Sequence, residues 1–428
     1  MRKTRILLTL ILMSPLLLNA QTRNLNYYLD QAKRNSPLIH KSRNESLLLD
    51  LDLKQVRAVL RQPEISIESN VLLAPIISHD NNSSHLQLIS NGSENYNGYD
   101  LSSTDGGQYQ AGISIKQPIN SRFKIQSYSK NTDINKRINE NNIDLTIHEL
   151  EFLIGSQYLL CLKAKQQVQN SLALENQIGE QVSVMQHLVE TAVYKQSNLM
   201  LLQIEQSNFE ADRKMFQSEY KNDLYDLNLL CGIQDTSNVD IQDVSLVLES
   251  NMKGEQKFLK SYRLDSLNIL SEQQIYNLRY KPQFYFYANA GLNAVYQPSF
   301  DRLGFSAGLS LSWTIFDGHQ SRLQERKTEV NLNTIEFEKN NVISHADIRK
   351  CKIMAQIESL EQRVNVISQQ LEKYDILVDT YNNELSIGEM SIMDLKNLLR
   401  DVAVKRNEMV TFTMERQALI NTYNYWNY

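Results

Sequence analysis

The fold is decided by residues 353–399, which read IMAQIESLEQRVNVISQQLEKYDILVDTYNNELSIGEMSIMDLKNLL. Between Ile353 and Leu385 the apolar side chains recur at alternating intervals of four and three residues, which is the spacing of a coiled-coil seam. The seam then stops at a short segment that contains Gly388, and a helical stripe resumes at Leu395. The stretch therefore predicts a long helix, a tight reversal at Gly388 and a return helix.

The arrangement around this stretch occurs twice in the chain. The segment AGISI at 111–115 matches AGLSL at 307–311 at an offset of 196 residues (307 − 111), and no gap is needed to carry that offset through the long helix. The same offset places Ala192 opposite Gly388 and so predicts a second reversal. A solenoid array needs several short units. The chain is therefore interpreted as two long internal repeats.

Each repeat is predicted to contain a short helix, two strands joined by a long loop, a very long helix, a tip and a return helix. In the first repeat (21–231) these are helix 25–61, strands 64–73 and 108–118, helix 122–189, tip 190–198 and return helix 199–231. In the second (258–428) they are helix 258–280, strands 283–292 and 304–315, helix 318–386, tip 387–394 and return helix 395–425. Residues 74–107 are predicted to be a polar loop, and residues 232–257 an acidic connector. Each long helix would measure on the order of 100 Å, too long for a globular core.

The first 20 residues have the layout of a secretory signal peptide. Three basic residues, Arg2, Lys3 and Arg5, precede an apolar run over 6–18. The alternative is a membrane anchor, but the run is short for a span and contains polar residues. No other stretch is apolar enough to cross a bilayer as a helix. If the protein enters a membrane, it does so as strands.

The two strands of the second repeat each have one apolar face. The side chains on these faces are Phe284, Phe286, Ala288, Ala290 and Leu292 in one strand, and Phe305, Ala307, Leu309, Leu311 and Trp313 in the other. Aromatic residues cluster near the strand ends, as they do at membrane interfaces. Four strands are too few to close a barrel, whereas three chains would supply about twelve. The alternative is a soluble sheet with one buried face.

Composition argues against several classes of function. The seven His residues form no metal-spaced pair, no Gly-rich phosphate loop occurs, and no nucleophile arrangement is visible, so neither an enzyme nor a cofactor or metal site is predicted. A net charge of −5 disfavours nucleic-acid binding. The three Cys residues are widely spaced and are interpreted as buried apolar residues. A secreted or surface coiled-coil structural protein or adhesin remains an alternative, because the heptads alone would permit it.

Five short segments carry a resemblance to a known family. They are Asn35-Ser36-Pro37, Gln117-Pro118-Ile119, Leu229-Leu230-Cys231-Gly232, Thr314-Ile315-Phe316-Asp317-Gly318 and the reversal from Gly388 to Asp394. In their order and duplication they resemble the TolC-type outer-membrane efflux proteins over essentially the whole mature chain. The resemblance implies a homotrimer with a twelve-stranded β-barrel in the outer membrane, continued by a long α-helical tunnel in the periplasm.

The same resemblance implies partners and a role. The closed periplasmic tip would meet an inner-membrane transporter through a periplasmic adaptor protein, and the chain would be the exit duct of a tripartite efflux or type I secretion system. The transported substrate is left open between drugs, metals and proteins. No cofactor and no nucleic acid are implied, and the expected location is the cell outer membrane.

The resemblance also assigns the site residues. In that family aspartates after the second reversal line the constriction, and the matching position is Asp394, while the position of the second aspartate holds Asn397. Glu389 and Asn198 are the further candidates for the gate. The residues expected at the adaptor-contacting tips are Ala192, Tyr194, Gly388 and Met390.

Two of these assignments have alternatives in local structure. A ring of three Asp394 carboxylates at a narrow tip would repel one another and attract cations, but an acid at this position could equally cap the return helix. Glu389 is either a pore-rim charge or a solvated turn residue. Because Ala192 replaces the usual glycine, the first tip is expected to be less sharply bent.

Overall fold

The computed structural model describes residues 22–88, 92–99, 104–119, 121–237, 239–249, 257–295 and 298–427. The predicted signal peptide at 1–20 lies outside the described residues. The chain forms two compact units, a helical unit and a sheet unit. The helical unit comprises the described residues of 22–41, 141–260 and 339–427, and the sheet unit those of 42–140 and 261–338.

Helices account for most of the described residues. The helices are α1 (Leu25–Asn35), α2 (Pro37–Arg61), α3 (Arg122–Glu190), α4 (Gln196–Leu230), α5 (Lys257–Asn277), α6 (Gln320–Ser386) and α7 (Ile392–Trp426). A 3₁₀ turn, Leu278–Tyr280, follows α5. The helices α3 and α6 are 69 and 67 residues long. Among the described residues, no helix is both long and apolar enough to cross a membrane.

The prediction of one helix over 25–61 is wrong. Asn24 caps α1 by accepting a hydrogen bond from the backbone N–H of Tyr27 at 2.9 Å, and α1 ends at Asn35. Ser36 has an extended backbone conformation, with ψ of 117°. Its neighbour Pro37 causes this break, because a proline ring disfavours the helical region for the residue before it.

Both return helices begin earlier than predicted. The observed first residues are Gln196 in α4 and Ile392 in α7, whereas the apolar pattern places the starts at Leu199 and Leu395. The pattern marks the first residues of the inward-facing stripe, while hydrogen bonding begins nearly one turn before. Helix α6 differs in the opposite sense and begins at Gln320, two residues after the predicted start.

The sheet unit contains a four-stranded antiparallel sheet with the order β1-β5-β6-β7. Its strands are β1 (Glu64–Leu73), β5 (Gly107–Ile119), β6 (Gln283–Val295) and β7 (Leu303–Ser312). The predicted strand 304–315 ends at Ser312, because Ser312 pairs with Gln283, where β6 begins, and later residues have no partner strand.

Two glycines permit the close pairing of β5 with β6. Gly112 lies directly opposite Gly291. A Cβ atom at Gly291 would lie 2.3 Å from the carbonyl oxygen of Ala111 and 2.4 Å from the Cα of Gly112, so no larger residue fits. Gly304 on β7 is different, because a Cβ there would meet nothing within 4 Å.

The segment predicted as a polar loop, 74–107, contains three short strands. They are β2 (Ile76–Ser78), β3 (His85–Gln87) and β4 (Tyr96–Asn97), which pair in the order β3-β2-β4. Asp80 organises this small sheet by accepting hydrogen bonds from the Ser93 hydroxyl at 2.6 Å and the Asn95 backbone N–H at 3.0 Å. Because polar residues hold these strands together, the segment shows no apolar periodicity. The strands could therefore not be predicted from the sequence pattern.

The N-terminal end of the helical unit is held by polar contacts. Arg23 forms a parallel bridge with Ile241 and an ion pair with Asp235 at 2.7 Å. The backbone N–H of Ser237, followed by the Arg23 guanidinium, lowers the pKa of Asp235 to about 2. Next to these contacts, the Tyr158 hydroxyl donates a hydrogen bond to the Gln242 carbonyl oxygen. The described residues of the segment after α4 are therefore attached to the helices, although apart from the bridge at Ile241 they form neither helix nor strand.

Candidate functional site

The two tips of the helical unit have the same backbone geometry. Ala192 and Gly388 both adopt the left-handed conformation, with φ angles of 62° and 82°. In each tip the following residue donates its backbone N–H to the carbonyl five positions earlier, at 2.8 Å in the first and 3.0 Å in the second. This is the Schellman arrangement, which satisfies carbonyls that the helix end would otherwise leave unpaired. The expectation of a less sharp turn at Ala192 is therefore wrong.

The left-handed conformation has a different cost at the two tips. A left-handed backbone costs a residue with a Cβ about 1 kcal/mol or more, and Ala192 bears this cost while its side chain stays exposed. Gly388 avoids it. A Cβ at Gly388 would also lie 2.7 Å from Cγ1 of Val193. The second tip thus requires glycine for two independent reasons, the backbone conformation and the approach of the first tip.

The two tips are joined by one tyrosine. The hydroxyl of Tyr194 donates a hydrogen bond to the carbonyl oxygen of Met390 at 2.8 Å and accepts one from the backbone N–H of Met390 at 3.0 Å. Both polar groups of one peptide residue are therefore satisfied by a single side chain of the other tip. The contact ties the α3–α4 reversal to the α6–α7 reversal within one chain.

An apolar cluster lies beneath this link. It contains Met390 of the α6–α7 reversal and buried side chains from all four helices that meet at the tips, including Leu174, Ile178, Met185, Leu199, Leu202, Val378, Leu385, Ile392, Leu395 and Leu399. Burial of a Leu or Ile side chain contributes about 1.5–3 kcal/mol. Burial of the cluster therefore stabilises the relative position of the two tips more than the two hydrogen bonds of Tyr194 do.

The predicted gate residues lie around these tips and are mostly exposed. Asp394 lies in the first turn of α7, and its backbone N–H donates to the Ser391 carbonyl at 3.1 Å. Asn397 lies one turn further along α7, and Glu389 lies in the turn, both with exposed side chains. Asn198 occupies the corresponding first turn of α4 and is half-buried.

The structure agrees only in part with the interpretation of Asp394 as a helix cap. The residue at the cap position is Ser391, and its side chain makes no capping hydrogen bond. Asp394 is the acidic residue of the first turn, where its charge favours the positive end of the helix dipole by about 0.3–1 kcal/mol. The carboxylate is also exposed, so this dipole interaction leaves it accessible to ions.

The predicted adaptor-contacting residues fall into two groups. Ala192 is exposed and Gly388 is half-buried at the surface of the tips. Met390 belongs to the buried cluster, and Tyr194 packs against it and is half-buried. These two residues contact each other, and sequence reasoning missed the contact. Their matching positions could have indicated this contact, because each residue lies two positions after the left-handed residue of its tip.

Sequence reasoning also missed buried polar residues near the tips. Gln181 of α3 is buried and donates a hydrogen bond from Nε2 to Oδ1 of Asn382 on α6 at 2.7 Å. Glu205 of α4 is buried and accepts a hydrogen bond from Nδ2 of Asn208 at 3.0 Å. Both occupy positions of the inward-facing stripe, where an apolar pattern search skips polar residues. In the described part of the chain, no group of three or more His, Cys, Asp or Glu side chains could hold a metal ion.

The chain has the fold of solved outer-membrane channels. It matches the outer membrane protein VceC of Vibrio cholerae with a TM-score of 0.68 at 11% identity, over 94% of this chain and 96% of that chain. The CmeC outer membrane channel of Campylobacter jejuni matches with a TM-score of 0.66 at 10% identity, over 94% and 85%. The open state of the MtrE outer membrane channel of Neisseria gonorrhoeae matches with a TM-score of 0.66 at 12% identity, over 94% and 88%.

Sequence comparison finds no such relatives. No protein-family model matches the chain, and no curated protein matches it in sequence. The structural likeness nevertheless covers nearly the whole chain and nearly the whole of each channel. It confirms the resemblance to the TolC-type outer-membrane fold that the short segments indicate, and it confirms a mainly α-helical fold.

Proposed function

We propose that three copies of this chain form an outer-membrane channel that is the exit duct of a tripartite efflux or type I secretion system. The observation that carries the proposal is the exposed apolar face of the four-stranded sheet. Ile67 on β1 and Phe305 on β7 are 86% and 90% exposed. A water-soluble protein would bury such a face, whereas a lipid-facing barrel wall requires it.

The two faces of the sheet differ in polarity, and the register of the strands keeps apolar residues on one face and polar residues on the other. Ile67, Ile113, Ala290 and Phe305 are paired across the four strands and lie on one face. The neighbouring row on the opposite face is Ser66, Ser114, Asn289 and Ser306. This alternation matches a barrel with lipid outside and water inside. The coiled-coil structural protein or adhesin is not favoured, because it does not account for a sheet with one exposed apolar face.

The edges of the sheet support assembly from several copies. Strands β1 and β7 each have one neighbour, so each leaves a row of backbone N–H and C=O groups unpaired. Unpaired backbone groups cannot be placed in lipid at acceptable cost. Pairing β7 of one copy with β1 of the next removes both edges, and three copies close about twelve strands.

The tips are proposed as the periplasmic gate. Three Asp394 carboxylates around the channel axis would attract cations. The exposed backbone around Ala192 and Gly388 would meet the periplasmic adaptor, which connects the duct to an inner-membrane transporter. The Tyr194 link and the cluster beneath it would hold each chain's two tips together in the closed state. Opening would then be a change between two packed arrangements, which an adaptor can bias.

Membrane fractionation and channel recording test this function. We expect the protein in the outer-membrane fraction, extracted by detergent and not by alkaline carbonate, and migrating as a trimer before heating. Extraction without detergent would refute the membrane channel.

The gate is tested by Asp394→Ala in planar bilayers, where we expect a larger leak through the closed channel and weaker block by divalent cations. Lys396→Ala is the matched control on the next turn of α7, because it removes a charge of the opposite sign. An unchanged leak and an unchanged cation block in Asp394→Ala would argue against the carboxylate ring.

A further inference from the structure

The two ends of the four-stranded sheet differ in charge. At the end where the strands meet the helices, the described residues of 61–64, 116–124, 278–283 and 312–319 contain six Lys or Arg residues and two acidic residues, Glu64 and Asp317. At the opposite end, the described residues of 69–108 and 295–303 contain four acidic residues, Asp80, Glu94, Asp105 and Asp301, and one basic residue, Arg302. The chain as a whole has a net charge of −5. The concentration of positive charge at the helix end is therefore not a general property of the surface.

Exposed aromatic side chains accompany the positive charges. The ammonium group of Lys281 lies 5.2 Å from the ring centroid of Phe123, and the Phe123 side chain is 59% exposed. Trp313 is 56% exposed, and its indole N–H donates to the carbonyl of Tyr280 at 3.1 Å. The guanidinium-bearing residue next to Phe123, Arg122, is also exposed. A cation, a phenyl ring and an indole thus lie together where the apolar strands end.

Two acidic residues lie at this end: Glu64, which lies opposite Lys116 in the pairing of β1 with β5, and Asp317, which is engaged in local structure. The carboxylate of Asp317 accepts hydrogen bonds from the Tyr280 hydroxyl and from the backbone N–H groups of Gln320 and Ser321, the latter two at 3.2 Å. The Tyr280 hydroxyl and these N–H groups lower the pKa of Asp317. Its charge is directed at the start of α6. Arg122 and Lys281 are therefore left to interact with an external anion.

We propose that Arg122, Phe123 and Lys281 bind the phosphate group of an anionic glycerophospholipid in the membrane leaflet on the helix side of the sheet. The proposal rests on the membrane placement given under the proposed function. Aromatic side chains prefer the headgroup region, and each Lys or Arg near an anionic lipid surface strengthens binding about fivefold. Lys and Arg also keep their charge at the interface while their aliphatic stems contact the acyl chains.

Tryptophan quenching in nanodiscs tests the site in the full-length assembled protein. The chain has two tryptophans, so the Trp426→Phe background leaves Trp313 as the reporter beside the site. Brominated phosphatidylglycerol and brominated phosphatidylcholine are compared at equal mole fraction. We expect brominated phosphatidylglycerol to quench Trp313 at least fivefold more effectively than brominated phosphatidylcholine does. We expect high salt to remove this difference.

The variants Arg122→Gln and Lys281→Gln should each lower this preference about fivefold. Arg302→Gln removes a cation at the other end of the sheet and should leave it unchanged. Equal quenching by the two lipids, a preference that survives both substitutions, or an equal preference for lipid A phosphate would overturn the lipid site. Absence of quenching by either lipid would instead refute the membrane placement, so the two failures are distinguishable.

Discussion

Replacing Gly388 by alanine should open the α6–α7 tip locally. The substitution places a Cβ on a backbone with φ of 82°, which costs about 1–2 kcal/mol. It also brings that Cβ to 2.7 Å from Cγ1 of Val193, which costs about 1 kcal/mol if the valine must shift. The total of about 2–3 kcal/mol corresponds to a factor of roughly 30 or more in the local opening equilibrium, since about 1.4 kcal/mol is tenfold.

Amide hydrogen exchange of the detergent-solubilised protein measures this opening directly. The reporter is the backbone N–H of Glu389, which donates to the carbonyl of Glu384 at 3.0 Å and is exposed to exchange only when the turn opens. We expect exchange at Glu389 to be at least tenfold faster in Gly388→Ala. A second variant combines Val193→Ala with Gly388→Ala and so removes the steric contact. It should recover only the part of the lost stability that comes from that contact, and the cost of the left-handed backbone should remain.

The reverse substitution at the first tip is the matched comparison. Ala192→Gly relieves the left-handed strain without a clash and should slow exchange at Val193, by a factor corresponding to about 1 kcal/mol or less because glycine also gains freedom in the unfolded chain. If exchange at Glu389 changed less than threefold in Gly388→Ala, neither the left-handed backbone nor the contact with Val193 would stabilise the turn as calculated. Recovery to the wild-type rate in the double variant would show that only the contact with Val193 matters.

Three further outcomes are expected. Tyr194→Phe removes both hydrogen bonds to Met390, a loss of about 1–3 kcal/mol, and should raise the closed-channel leak in planar bilayers. Gly291→Ala should abolish the proposed trimer on gels of unheated samples, because its Cβ would lie 2.3 Å from a backbone oxygen, whereas Gly304→Ala should assemble normally. The lowered pKa of Asp235 stabilises the segment after α4 above pH 4, and exchange protection there should fall as the pH drops from about 4 to about 2.

Each of these outcomes has a control within the chain. Tyr381→Phe removes a hydroxyl from a residue packed against the same apolar cluster and should leave the leak unchanged. Asp235→Asn should abolish the acid-dependent step, because the asparagine has no carboxylate to protonate. A step that persists in Asp235→Asn, or equal assembly of the two glycine variants, would contradict the corresponding contacts.

Most helices and the four strands of the main sheet could be predicted from the sequence, because both carry a periodic apolar pattern. The seam from Ile353 to Leu385 requires a long helix, and alternation from Phe284 to Leu292 requires a strand with two unlike faces. The positions of the reversals were also visible, since Gly388 interrupts a seam that otherwise continues. Asp394 was found only through the family resemblance, and its role in a gate stays a prediction.

Features that depend on contacts between distant residues are visible only in the folded chain. The pairing of β5 with β6 joins the two halves into one sheet, and no local pattern encodes it. The strands around Asp80 are held by hydrogen bonds of polar residues, which give no periodic signal. The bond of Tyr194 to Met390 joins residues 196 positions apart. Apolar spacing reports which face a residue presents, but only folding brings two such faces, and the polar groups between them, within hydrogen-bonding distance.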